Sequence, residues 1–438
     1  MNIAVIGTGY VGLVTGVCFA ELGVNVTCMD KDEARIAGLR KGAMPIYEPG
    51  LEELVEKNVR QRRLSFTTDL DEAIQRSLVV LIAVGTPSDA EGNADLTFVK
   101  EVAASIGRRL TEYKVIVTKS TVPMGTGALV RRIIEENRPK PVQFSVASNP
   151  EFLREGSAVE DFMRPNRVVI GTEDSQATAI LKDLYRPLYL IETPFVVTDI
   201  VTAEMIKYAS NAFLATKISF INEIARLCEL LDADVHDVAL GMGLDNRIGR
   251  KFLHPGPGFG GSCFPKDTSA IVAIARDAGQ EMKVVSAVIE VNEGQPALMI
   301  EKVREVLKEP TGKVAAVLGL SFKPNTDDLR ESPALKIIEG LRKLGCRIRA
   351  YDPIAMEGAR AALADVTLCG DEYSAVEGAD VMVLVTEWNQ FRALDLGRVR
   401  GLMRTPAVVD LRNVYEPGEM ARLGFTYRCV GRGAAGRS

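Results

Sequence analysis

Cys263 is the strongest candidate nucleophile in this sequence. It lies in the segment GFGGSCFPKD (Gly258–Asp267), where glycines precede it and Pro265 suits the first turn of a helix. A thiolate at a helix N-terminus, with the cation of Lys266 nearby, is favoured below the ordinary thiol pKa of ~8.5. Two alternatives stay open: Cys263 could be a buried packing residue, and Asp267 could be a first-turn acid that stabilises the helix dipole. The other six cysteines lie in plain helical or strand contexts, where a buried and unreactive thiol is expected.

Two further pairs of polar residues have spacings that could bring them to a ligand. Lys207 and Asn211 lie four residues apart on a predicted long helix, so they share one face among apolar neighbours. The alternative is a surface lysine paired with Glu204. Glu151 and Glu155 follow a predicted strand, and ligands of α/β proteins bind at the carboxyl ends of parallel strands. Both pairs are therefore candidate ligand contacts.

Gly7, Gly9 and Gly12 form a GxGxxG motif in the context that a dinucleotide site requires. The motif follows a predicted strand, Asn2–Ile6, and opens a helix, and Asp30 ends the next strand. Such glycines allow a tight turn, close approach of a pyrophosphate and close packing of the helix on the strand. Asp30 can accept both adenosine ribose hydroxyls and repels a 2′-phosphate, so the sequence predicts NAD rather than NADP. A glycine-rich turn with a strand-end acid is the alternative.

The elements that position these residues alternate between strand and helix at both ends of the chain. Apolar strands separated by helices predict parallel sheets covered on both faces. The middle third predicts helices only: one at 202–231, one at 268–277 and one at 282–307 with a break near Pro296. Near residue 313 the order strand, glycine, helix, strand, acid returns without GxGxxG. This second unit is therefore expected to bind something other than a dinucleotide pyrophosphate.

The predicted fold is α/β, with two Rossmann-like, doubly wound parallel-sheet domains joined by a helical central segment. We expect an NAD-binding domain at 1–197, a central helical segment at 198–309 that carries active-site residues and a dimer contact, and a second Rossmann-like domain at 310–438. The tail at 431–438 is small, polar and basic, and it is expected to be disordered.

Composition excludes several classes of protein. The 438 residues include 53 Lys and Arg against 58 Asp and Glu, and a net charge of −5 gives no electrostatic case for binding nucleic acid or an anionic membrane. No apolar run approaches the ~20 residues of a membrane-spanning helix. Seven cysteines without a CxxC pair suggest neither a disulfide framework nor a zinc site, and no metal is expected. The glycine-interrupted N-terminus is unlike a signal peptide, so a reducing cytoplasm is the expected compartment.

Seven segments, in their order along the chain, resemble the UDP-glucose/GDP-mannose dehydrogenase family over nearly the whole sequence. They are GTGYVGLVTG (Gly7–Gly16), YEPGLEELV (Tyr47–Val55), VGTP (Val84–Pro87), KSTVPMGT (Lys119–Thr126), SNPEFLREG (Ser148–Gly156), GFGGSCFPKD (Gly258–Asp267) and FKPNTDDLRESP (Phe322–Pro333). The cysteine segment and the last segment are the most specific. Phe264 and the run Asp410–Asn413 resemble the UDP-glucose branch of the family more than the GDP-mannose branch.

This resemblance implies the NAD-dependent, four-electron oxidation of a nucleotide-sugar C6 alcohol to the carboxylate, which in this branch is UDP-glucose to UDP-glucuronate. The final domain would bind the UDP-sugar, and the helical segment would form a homodimer or a dimer-based oligomer. Two NAD are reduced in succession at one site. By position Cys263 matches the nucleophile, which forms a thiohemiacetal with the aldehyde and then a thioester that water hydrolyses.

The resemblance also implies roles around the reacting carbon. Lys207 and Asn211 match residues that stabilise the oxyanion at C6. Asp267, with an ordered water and Thr121, matches the group that manages protons in the first oxidation. Glu151 matches the group that helps to activate water for thioester hydrolysis.

The remaining matched positions are contacts to the cofactor and the substrate. For NAD they are Gly7, Gly9, Val11, Gly12, Asp30, Arg35, Thr86, Thr121, Glu155, Lys266 and Arg330. For the nucleotide-sugar they are Glu151, Phe152, Leu153, Lys207, Asn211, Arg247, Phe252, Leu253, His254, Pro255, Gly256, Gly260, Lys323 and Arg412. Arg247 matches a residue that reaches across the dimer. His254 stands where some family members have Asn or Lys, a difference that bears on sugar selectivity.

Other functions would use the same motifs differently. GDP-mannose and the UDP-N-acetylhexosamines are alternative substrates within the family. A two-electron hydroxyacid dehydrogenase, with Cys263 merely structural, would form one NADH per substrate. A non-catalytic NAD-sensing protein would bind NAD without turnover, but it has no need of a nucleophile. The chain has only two histidines, His236 and His254, so a thiol with lysine and carboxylate help fits the inventory of residues better than a histidine base.

Overall fold

The computed structural model describes residues 1–89 and 92–433, and the chain divides into two units, Met1–Ser210 and the residues from Asn211 onward. Each unit is built on its own β-sheet, and helices connect successive strands. The predicted fold class, α/β with two Rossmann-like parallel sheets and a helical segment in the middle of the chain, is confirmed.

The sheet of the first unit has eight strands. They are β1 (Asn2–Ile6), β2 (Asn25–Met29), β3 (Leu64–Thr67), β4 (Val79–Ile82), β5 (Lys114–Thr118), β6 (Phe144–Ser148), β7 (Val168–Gly171) and β8 (Phe195–Thr198). Their order is β3-β2-β1-β4-β5-β6-β7-β8, and neighbouring strands are parallel except β6 and β7. The helices of this unit are α1 (Tyr10–Glu21), α2 (Glu33–Arg40), α3 (Leu51–Arg60), α4 (Leu70–Gln75), α5 (Thr97–Arg109), α6 (Thr126–Asn137), α7 (Ala158–Met163) and α8 (Ser175–Leu184).

A long helix, α9 (Ile200–Leu231), begins in the first unit and ends in the second. Three more helices follow before the second sheet: α10 (Val235–Gly243), α11 (Phe264–Asp277) and α12 (Lys283–Leu307). The second sheet contains β9 (Val314–Leu318), β10 (Arg347–Tyr351), β11 (Thr367–Leu368), β12 (Val381–Leu384), β13 (Ala407–Asp410) and β14 (Thr426–Cys429). Its order is β11-β10-β9-β12-β13-β14, and all pairs are parallel. The remaining helices are α13 (Pro333–Lys343), α14 (Met356–Ala362), α15 (Glu372–Val376), α16 (Asn389–Arg392), α17 (Leu396–Leu402) and α18 (Pro417–Arg422).

The central strands are apolar on both faces because helices cover both faces of each sheet. Along β1, Ile3 and Val5 belong to the core on one face, and Ala4 and Ile6 belong to the core on the other. This is the pattern that a parallel sheet requires. Parallel pairing brings the carboxyl ends of β1, β2 and β4 to one edge of the sheet. No helix within the two described ranges combines the length and apolar character needed to cross a bilayer.

The predicted helix break near Pro296 is wrong. The helix α12 runs without interruption from Lys283 to Leu307, and Pro296 is buried inside it. Proline removes the hydrogen bond to the carbonyl of Asn292 and costs ~3 kcal/mol in a helix interior. This helix packs against α11, α13 and strands of the second sheet, and that packing outweighs the local cost.

The prediction of a disordered tail is wrong for its first residues. The N–H of Gly431 donates to Glu229 at 2.6 Å. The guanidinium of Arg432 pairs with Asp234 and with Glu416, each at 2.9 Å. These long-range contacts hold Gly431 and Arg432 in place. The rest of the predicted disordered tail, residues 434–438, lies outside the described residues.

Candidate active site

Glycines shape the turn between β1 and α1 for a phosphate-bearing ligand. Gly7 has a φ of +102°, and a Cβ there would lie 2.5 Å from the carbonyl oxygen of Ala83. A Cβ on Gly12 would lie 2.0 Å from the carbonyl oxygen of Gly7, so only glycine allows this close packing of α1. Gly9 caps α1, and nothing lies within 4 Å of the place where its Cβ would be. The helix N-terminus is therefore open to a pyrophosphate.

Asp30 follows β2 and lies beside this turn. Its Oδ2 accepts hydrogen bonds from the N–H of Thr8 at 2.8 Å, from the hydroxyl of Thr8 at 2.9 Å and from Arg35 at 3.2 Å. Its Oδ1 accepts from the N–H of Asp32 at 3.1 Å and has capacity for a further donor such as a ribose hydroxyl. Burial opposes the charge, but these contacts lower the pKa of Asp30 overall. The residues of this edge therefore fit NAD.

The corresponding acid of the second sheet, Asp352, is fully engaged by its own chain. It is completely buried after β10. Its hydrogen-bond donors are the N–H groups of Leu320, Ser321, Ile354 and Ala355, the hydroxyl of Ser321 and the indole of Trp388. Such a carboxylate has little to offer a ribose. This supports the hypothesis that the second sheet does not bind a dinucleotide.

The other first-unit residues predicted to contact NAD follow the same edge of the sheet. The hydroxyl of Thr86 donates to the carbonyl oxygen of Thr121 at 2.9 Å and so joins the segments that follow β4 and β5. Val11 is half-buried in the first turn of α1, and Glu155 is half-buried in the segment after β6. These strand-end segments and the glycine turn belong to one edge, as a nucleotide site in an α/β sheet requires.

Lys207 and Glu151 form a buried ion pair in the first unit. Lys207 Nζ donates to Glu151 Oε1 at 2.9 Å, and the two side chains are 5% and 4% exposed. Glu151 Oε2 also accepts from the N–H of Leu153 at 2.5 Å. Burial alone would raise the pKa of Glu151, but Lys207, the Leu153 amide and Lys119 lower it overall. Glu151 is therefore an ionised carboxylate at neutral pH.

The alternative of a surface Lys207 paired with Glu204 is wrong. The carboxylate of Glu204 instead accepts hydrogen bonds from the N–H groups of Gly125 at 2.7 Å and Gly127 at 2.9 Å, at the start of α6. Glu204 is buried, and burial raises its pKa to about 7. Both residues of α9 thus face inward, each with a different partner.

Phe152 and Leu153, two predicted substrate contacts, directly follow Glu151 and are half-buried. The guanidinium of Arg167 stacks 3.4 Å from the centroid of the Phe152 ring. Lys207 Nζ lies 5.4 Å from the same centroid. Cations near an aromatic face are attracted to it, so these contacts hold the segment that follows Glu151.

Cys263 is the N-cap of α11, where the sequence predicts a helix N-terminus. Its side chain is half-buried, whereas the other six cysteines are buried. The hydroxyl of Ser262 lies 3.7 Å from its Sγ. Gly261 has a φ of +79°, and a Cβ on Gly260 would lie 2.3 Å from the carbonyl oxygen of Glu331. The glycines therefore allow a tight turn that presents the thiol at the helix N-terminus rather than in the core.

Asp267, one turn further along α11, joins two other predicted site residues. Asn211 Nδ2 donates to its Oδ2 at 2.6 Å, and Lys266 Nζ donates to its Oδ1 at 2.6 Å. Asp267 is buried, and Lys266 is partly exposed. The structure thus brings Asn211 of α9 into direct contact with Asp267, which does more than stabilise the dipole of its own helix.

The loop that contains Gly256 is held by polar side chains that the sequence analysis missed. The N–H of Gly256 donates to Asn222 Oδ1, and Gln295 Nε2 donates to the carbonyl oxygen of Gly256, both at 2.8 Å. Asn292 exchanges hydrogen bonds with the N–H and C=O of Phe259 at 2.8 and 3.1 Å. Asn222 and Gln295 are fully buried. Polar residues at core positions of α9 and α12 are the signal that could have found them.

The same loop supplies several of the predicted substrate contacts. Leu253 and Pro255 are buried, whereas Phe252 is half-buried and has a φ of +64°. His254 is exposed. The loop therefore presents a mixture of apolar anchors and one polar side chain.

Arg412 links this loop to the segment after β9. Its Nε donates to the carbonyl oxygen of Val385 at 2.7 Å, and its Nη2 donates to that of Phe322 at 3.1 Å. A Cβ on Gly256 would lie 3.2 Å from its Nη1. Lys323, the residue after Phe322, is half-buried. Three predicted substrate contacts thus lie close together in the second unit: Gly256, Lys323 and Arg412.

The side chains of two predicted site residues, Arg247 and Arg330, are exposed to solvent. Arg247 is 89% exposed and pairs with Asp245 at 2.6 Å. The side chain of Arg330 is also exposed and pairs with Asp328 at 2.8 Å, while its carbonyl oxygen accepts from the N–H of Gly261. Across 1–89 and 92–433, no group of three His, Cys, Asp or Glu side chains is arranged to hold a metal ion.

Models of one protein family cover most of the chain. Residues 1–189 match the NAD binding domain of the UDP-glucose/GDP-mannose dehydrogenase family, residues 201–294 match its central domain, and residues 316–417 match its UDP binding domain. The chain belongs to the UDP-glucose/GDP-mannose dehydrogenase family. This UDP-glucose/GDP-mannose dehydrogenase has the family's NAD binding domain, which contains the glycine turn and Asp30.

Several nucleotide-sugar dehydrogenases are similar to this family member over nearly its whole length. The UDP-glucose 6-dehydrogenase of Rhizobium meliloti is 52% identical over 436 residues, which are 99% of this chain and 100% of that protein. A UDP-glucose 6-dehydrogenase of Bacillus subtilis is 52% identical over 99% of this chain and 94% of its own length. The solved structure of a UDP-glucose dehydrogenase from Pyrobaculum islandicum has a TM-score of 0.90 and is 42% identical, covering 98% of this chain and 96% of that chain. A UDP-D-ManNAc dehydrogenase from Pyrococcus horikoshii has a TM-score of 0.86 at 28% identity and covers 99% of both chains.

In this family member, Asp30→Ala is expected to weaken NAD binding and to admit NADP. The variant removes an acceptor for the ribose hydroxyls and releases Arg35, which can then bind a 2′-phosphate. We expect the Kd for NAD to rise by roughly 10-fold and the preference over NADP to fall, as measured by titration with each cofactor. Asp69→Ala, which removes an exposed acid that caps α4, is the control. Unchanged affinities in Asp30→Ala would remove Asp30 from the site.

Proposed function

We propose that this chain catalyses the NAD-dependent oxidation of the C6 alcohol of UDP-glucose to the carboxylate of UDP-glucuronate. The observation that carries the proposal is a half-buried thiol, Cys263, at the N-terminus of α11. One turn along this helix, Asp267 accepts a hydrogen bond from Asn211. A dehydrogenase that stops after one hydride transfer needs no nucleophile. The names of relatives that match nearly the whole chain support UDP-glucose as the substrate.

In this proposal residues 1–197 bind NAD, residues 198–309 carry the nucleophile, and residues 310–438 bind the UDP-sugar. NAD, held by the glycine turn and Asp30, supplies the hydride acceptor for both oxidations. The same chain residues therefore act on the alcohol first and on the aldehyde afterwards.

The first oxidation removes a hydride from C6 and the proton from its hydroxyl, which gives an aldehyde. Asp267, acting through an ordered water and Thr121, takes the proton. Lys207 and Asn211 donate hydrogen bonds to the C6 oxygen as its negative charge develops. The hydrogen bond between Asn211 and Asp267 fixes the amide of Asn211 for this role.

The second oxidation begins when the Cys263 thiolate adds to the aldehyde carbon and forms a carbon–sulfur bond. Loss of the second hydride from this thiohemiacetal gives a thioester. Water then adds to the thioester carbonyl, the carbon–sulfur bond breaks, and the thiolate is restored. Glu151, which is ionised, accepts a proton from this water. In total, the alcohol, one water and two NAD give the carboxylate, two NADH and three protons.

A panel of nucleotide-sugars assayed with NAD tests this proposal. UDP-glucose is expected to have the highest kcat/KM, ahead of GDP-mannose and the UDP-N-acetylhexosamines. One NADH per substrate would favour a two-electron hydroxyacid dehydrogenase. NAD binding without turnover of any nucleotide-sugar would favour an NAD-sensing protein.

We also propose that the chain acts as a homodimer built on α9. This helix exposes a set of large apolar side chains: Phe213, Phe220, Leu227, Leu230 and Leu231, with exposed fractions of 65%, 45%, 50%, 81% and 68%. The first three recur every seven residues, so they form one stripe along the helix. A second copy of the same stripe is its self-complementary partner. The exposed Arg247 is then available to the partner subunit.

Phe220→Glu is expected to convert the dimer into a monomer, because burying an unpaired carboxylate in an apolar contact costs several kcal/mol. Analytical ultracentrifugation at assay concentrations measures the change. Val59→Glu, at an exposed apolar residue of α3 in the first unit, is the matched control and should leave the dimer intact. A wild-type protein that sediments as a monomer would refute the dimer.

We propose a cytoplasmic location for the enzyme. All seven cysteines lie within the described residues, and none forms a disulfide. This is the expected state of thiols in a reducing compartment.

A further inference from the structure

Lys119 is a buried cation that has no role in the mechanism above. It directly follows β5 and is 4% exposed. Its Nζ donates to Asn149 Oδ1 at 3.1 Å and to the hydroxyl of Tyr185 at 3.2 Å. Tyr185 in turn donates to Asn149 Oδ1 at 2.5 Å. Both acceptors are neutral. Burying a charge beside neutral partners is costly, so a nearby negative charge is expected to stabilise the Lys119 ammonium.

Glu151 supplies this negative charge. Asn149 and Glu151 are two residues apart in the segment after β6, and both line one cavity of about 50 Å³ with Lys119 and Tyr185. Burial lowers the pKa of Lys119 to about 8, while Glu151 opposes this effect and Lys207 adds to it. In return, the charge of Lys119 helps to lower the pKa of Glu151. Two buried lysines therefore act on one carboxylate.

The remaining titratable groups of this cavity are accounted for. Burial raises the pKa of the Tyr185 phenol well above its ordinary value, so Tyr185 stays neutral. The other titratable side chains that line the cavity are Asp161, Arg164 and Arg167. Asp161 pairs with Arg154 at 2.6 Å, which leaves Glu151 as the carboxylate that Lys119 influences. Burial lowers the pKa of Arg167, and the charge of Glu151 opposes this effect, so Arg167 is a further cation that acts on Glu151.

We propose that Lys119 is a positioning residue for the reaction: its buried ammonium lines the same cavity as Glu151 and, through its hydrogen bond to Asn149, holds the segment that carries Glu151 beside Lys207. With Lys119 present, the negative charge of Glu151 is shared with Lys119 and the half-buried Arg167 as well as with Lys207, so Lys207 keeps positive charge for the oxyanion at C6. Without Lys119, Lys207 offsets more of the Glu151 charge. The inference rests on the proposed function, because it places Lys119 behind thioester hydrolysis and oxyanion stabilisation in that reaction.

Lys114 offers a matched comparison for a purely structural lysine. It begins β5, the strand that Lys119 follows, and it is completely buried. Its Nζ donates to the carbonyl oxygen of Ser77 at 2.7 Å and pairs with Glu112 at 3.0 Å. Lys114 therefore has similar burial on the same strand, but it lies at the opposite end from the carboxyl edge.

Lys119→Gln and Lys119→Met test the inference, and Lys114→Met is the control. Glutamine can keep hydrogen bonds to Asn149 and Tyr185 without the charge. We expect kcat with UDP-glucose to fall by about 10-fold while KM changes by less than about 3-fold. Because Glu151 then protonates more readily, the acid limb of the kcat profile should move to higher pH by roughly one unit. Lys114→Met should lower Tm without moving that limb.

The inference is overturned if folded Lys119→Gln keeps the wild-type kcat and acid limb, or if Lys114→Met moves the limb equally. Should Lys119→Met fail to fold, Lys119→Gln decides the question. A wild-type enzyme that forms two NADH per UDP-glucose upholds the proposed function whatever the Lys119 variants do. A wild-type protein without turnover would overturn the proposed function, and this inference with it.

Discussion

Cys263→Ala is expected to abolish steady-state formation of UDP-glucuronate, with kcat reduced on the order of 10⁴-fold or more. Without the thiol no carbon–sulfur bond forms, so the aldehyde is not converted into a thioester and the second oxidation cannot proceed by this route. At most a slow first oxidation remains. Single-turnover and steady-state measurements of NADH formation separate these two stages.

Cys346→Ala is the control for this prediction. The Cys346 thiol is buried, and burial raises its pKa to about 11, so it should contribute nothing to turnover. Cys263→Ser is expected to form an oxygen ester that hydrolyses more slowly than the thioester, and mass spectrometry of the variant with substrate should detect the adduct. Wild-type turnover by Cys263→Ala would exclude the covalent route.

Lys207→Met is expected to lower kcat by about 10²–10³-fold and to destabilise the folded chain. Lys207 pairs with Glu151 at 2.9 Å, and both side chains are almost fully buried. Removal of the lysine leaves a buried carboxylate without its direct cation, a change that typically costs about 3–5 kcal/mol. Steady-state kinetics measure the first effect, and urea denaturation measures the second.

The stability difference between wild type and Lys207→Met should depend on pH. The folded-state pKa of Glu151 lies below its ordinary value. Ionised Glu151 therefore stabilises the folded chain at pH values above the ordinary glutamate pKa. This contribution to the free energy of unfolding is lost as the pH falls through the lowered pKa of Glu151 in the folded chain. The difference in free energy of unfolding should be largest near neutral pH and should shrink on acidification.

Lys217→Met is the matched control on the same helix. Lys217 donates to the backbone carbonyl oxygens of Ile248 and Gly249 rather than to a buried carboxylate. Its loss should not produce the same pH dependence. A pH-independent stability difference for Lys207→Met would contradict the ion-pair account.

Features that depend on neighbouring residues could be predicted from the sequence. The turn at Gly7 and the cap at Cys263 each depend on a few consecutive residues, because glycine geometry and helix termini are local. The strand β1 was predicted with its observed bounds, Asn2–Ile6, because a run of four apolar residues ends directly at the glycine turn. Edge strands were missed for the opposite reason: β8 is largely exposed and β11 has two residues.

Partners that are distant along the chain could not be predicted in this way. Spacing on α9 put Lys207 and Asn211 on one face, but the partner that it offered for Lys207, in the alternative of a surface lysine, was Glu204. The observed partner is Glu151, 56 residues away. Lys119 and Tyr185 are 66 residues apart. Tertiary folding decides such contacts, and only a polar residue at a core position hints at them.

The central claim is that one site performs two oxidations through a sulfur-bound intermediate. The most direct measurement is the amount of NADH formed per molecule of UDP-glucuronate, with UDP-glucose limiting and NAD in excess. The account predicts a ratio of two, with no aldehyde released. A ratio of one, or an aldehyde as the final product, would contradict it.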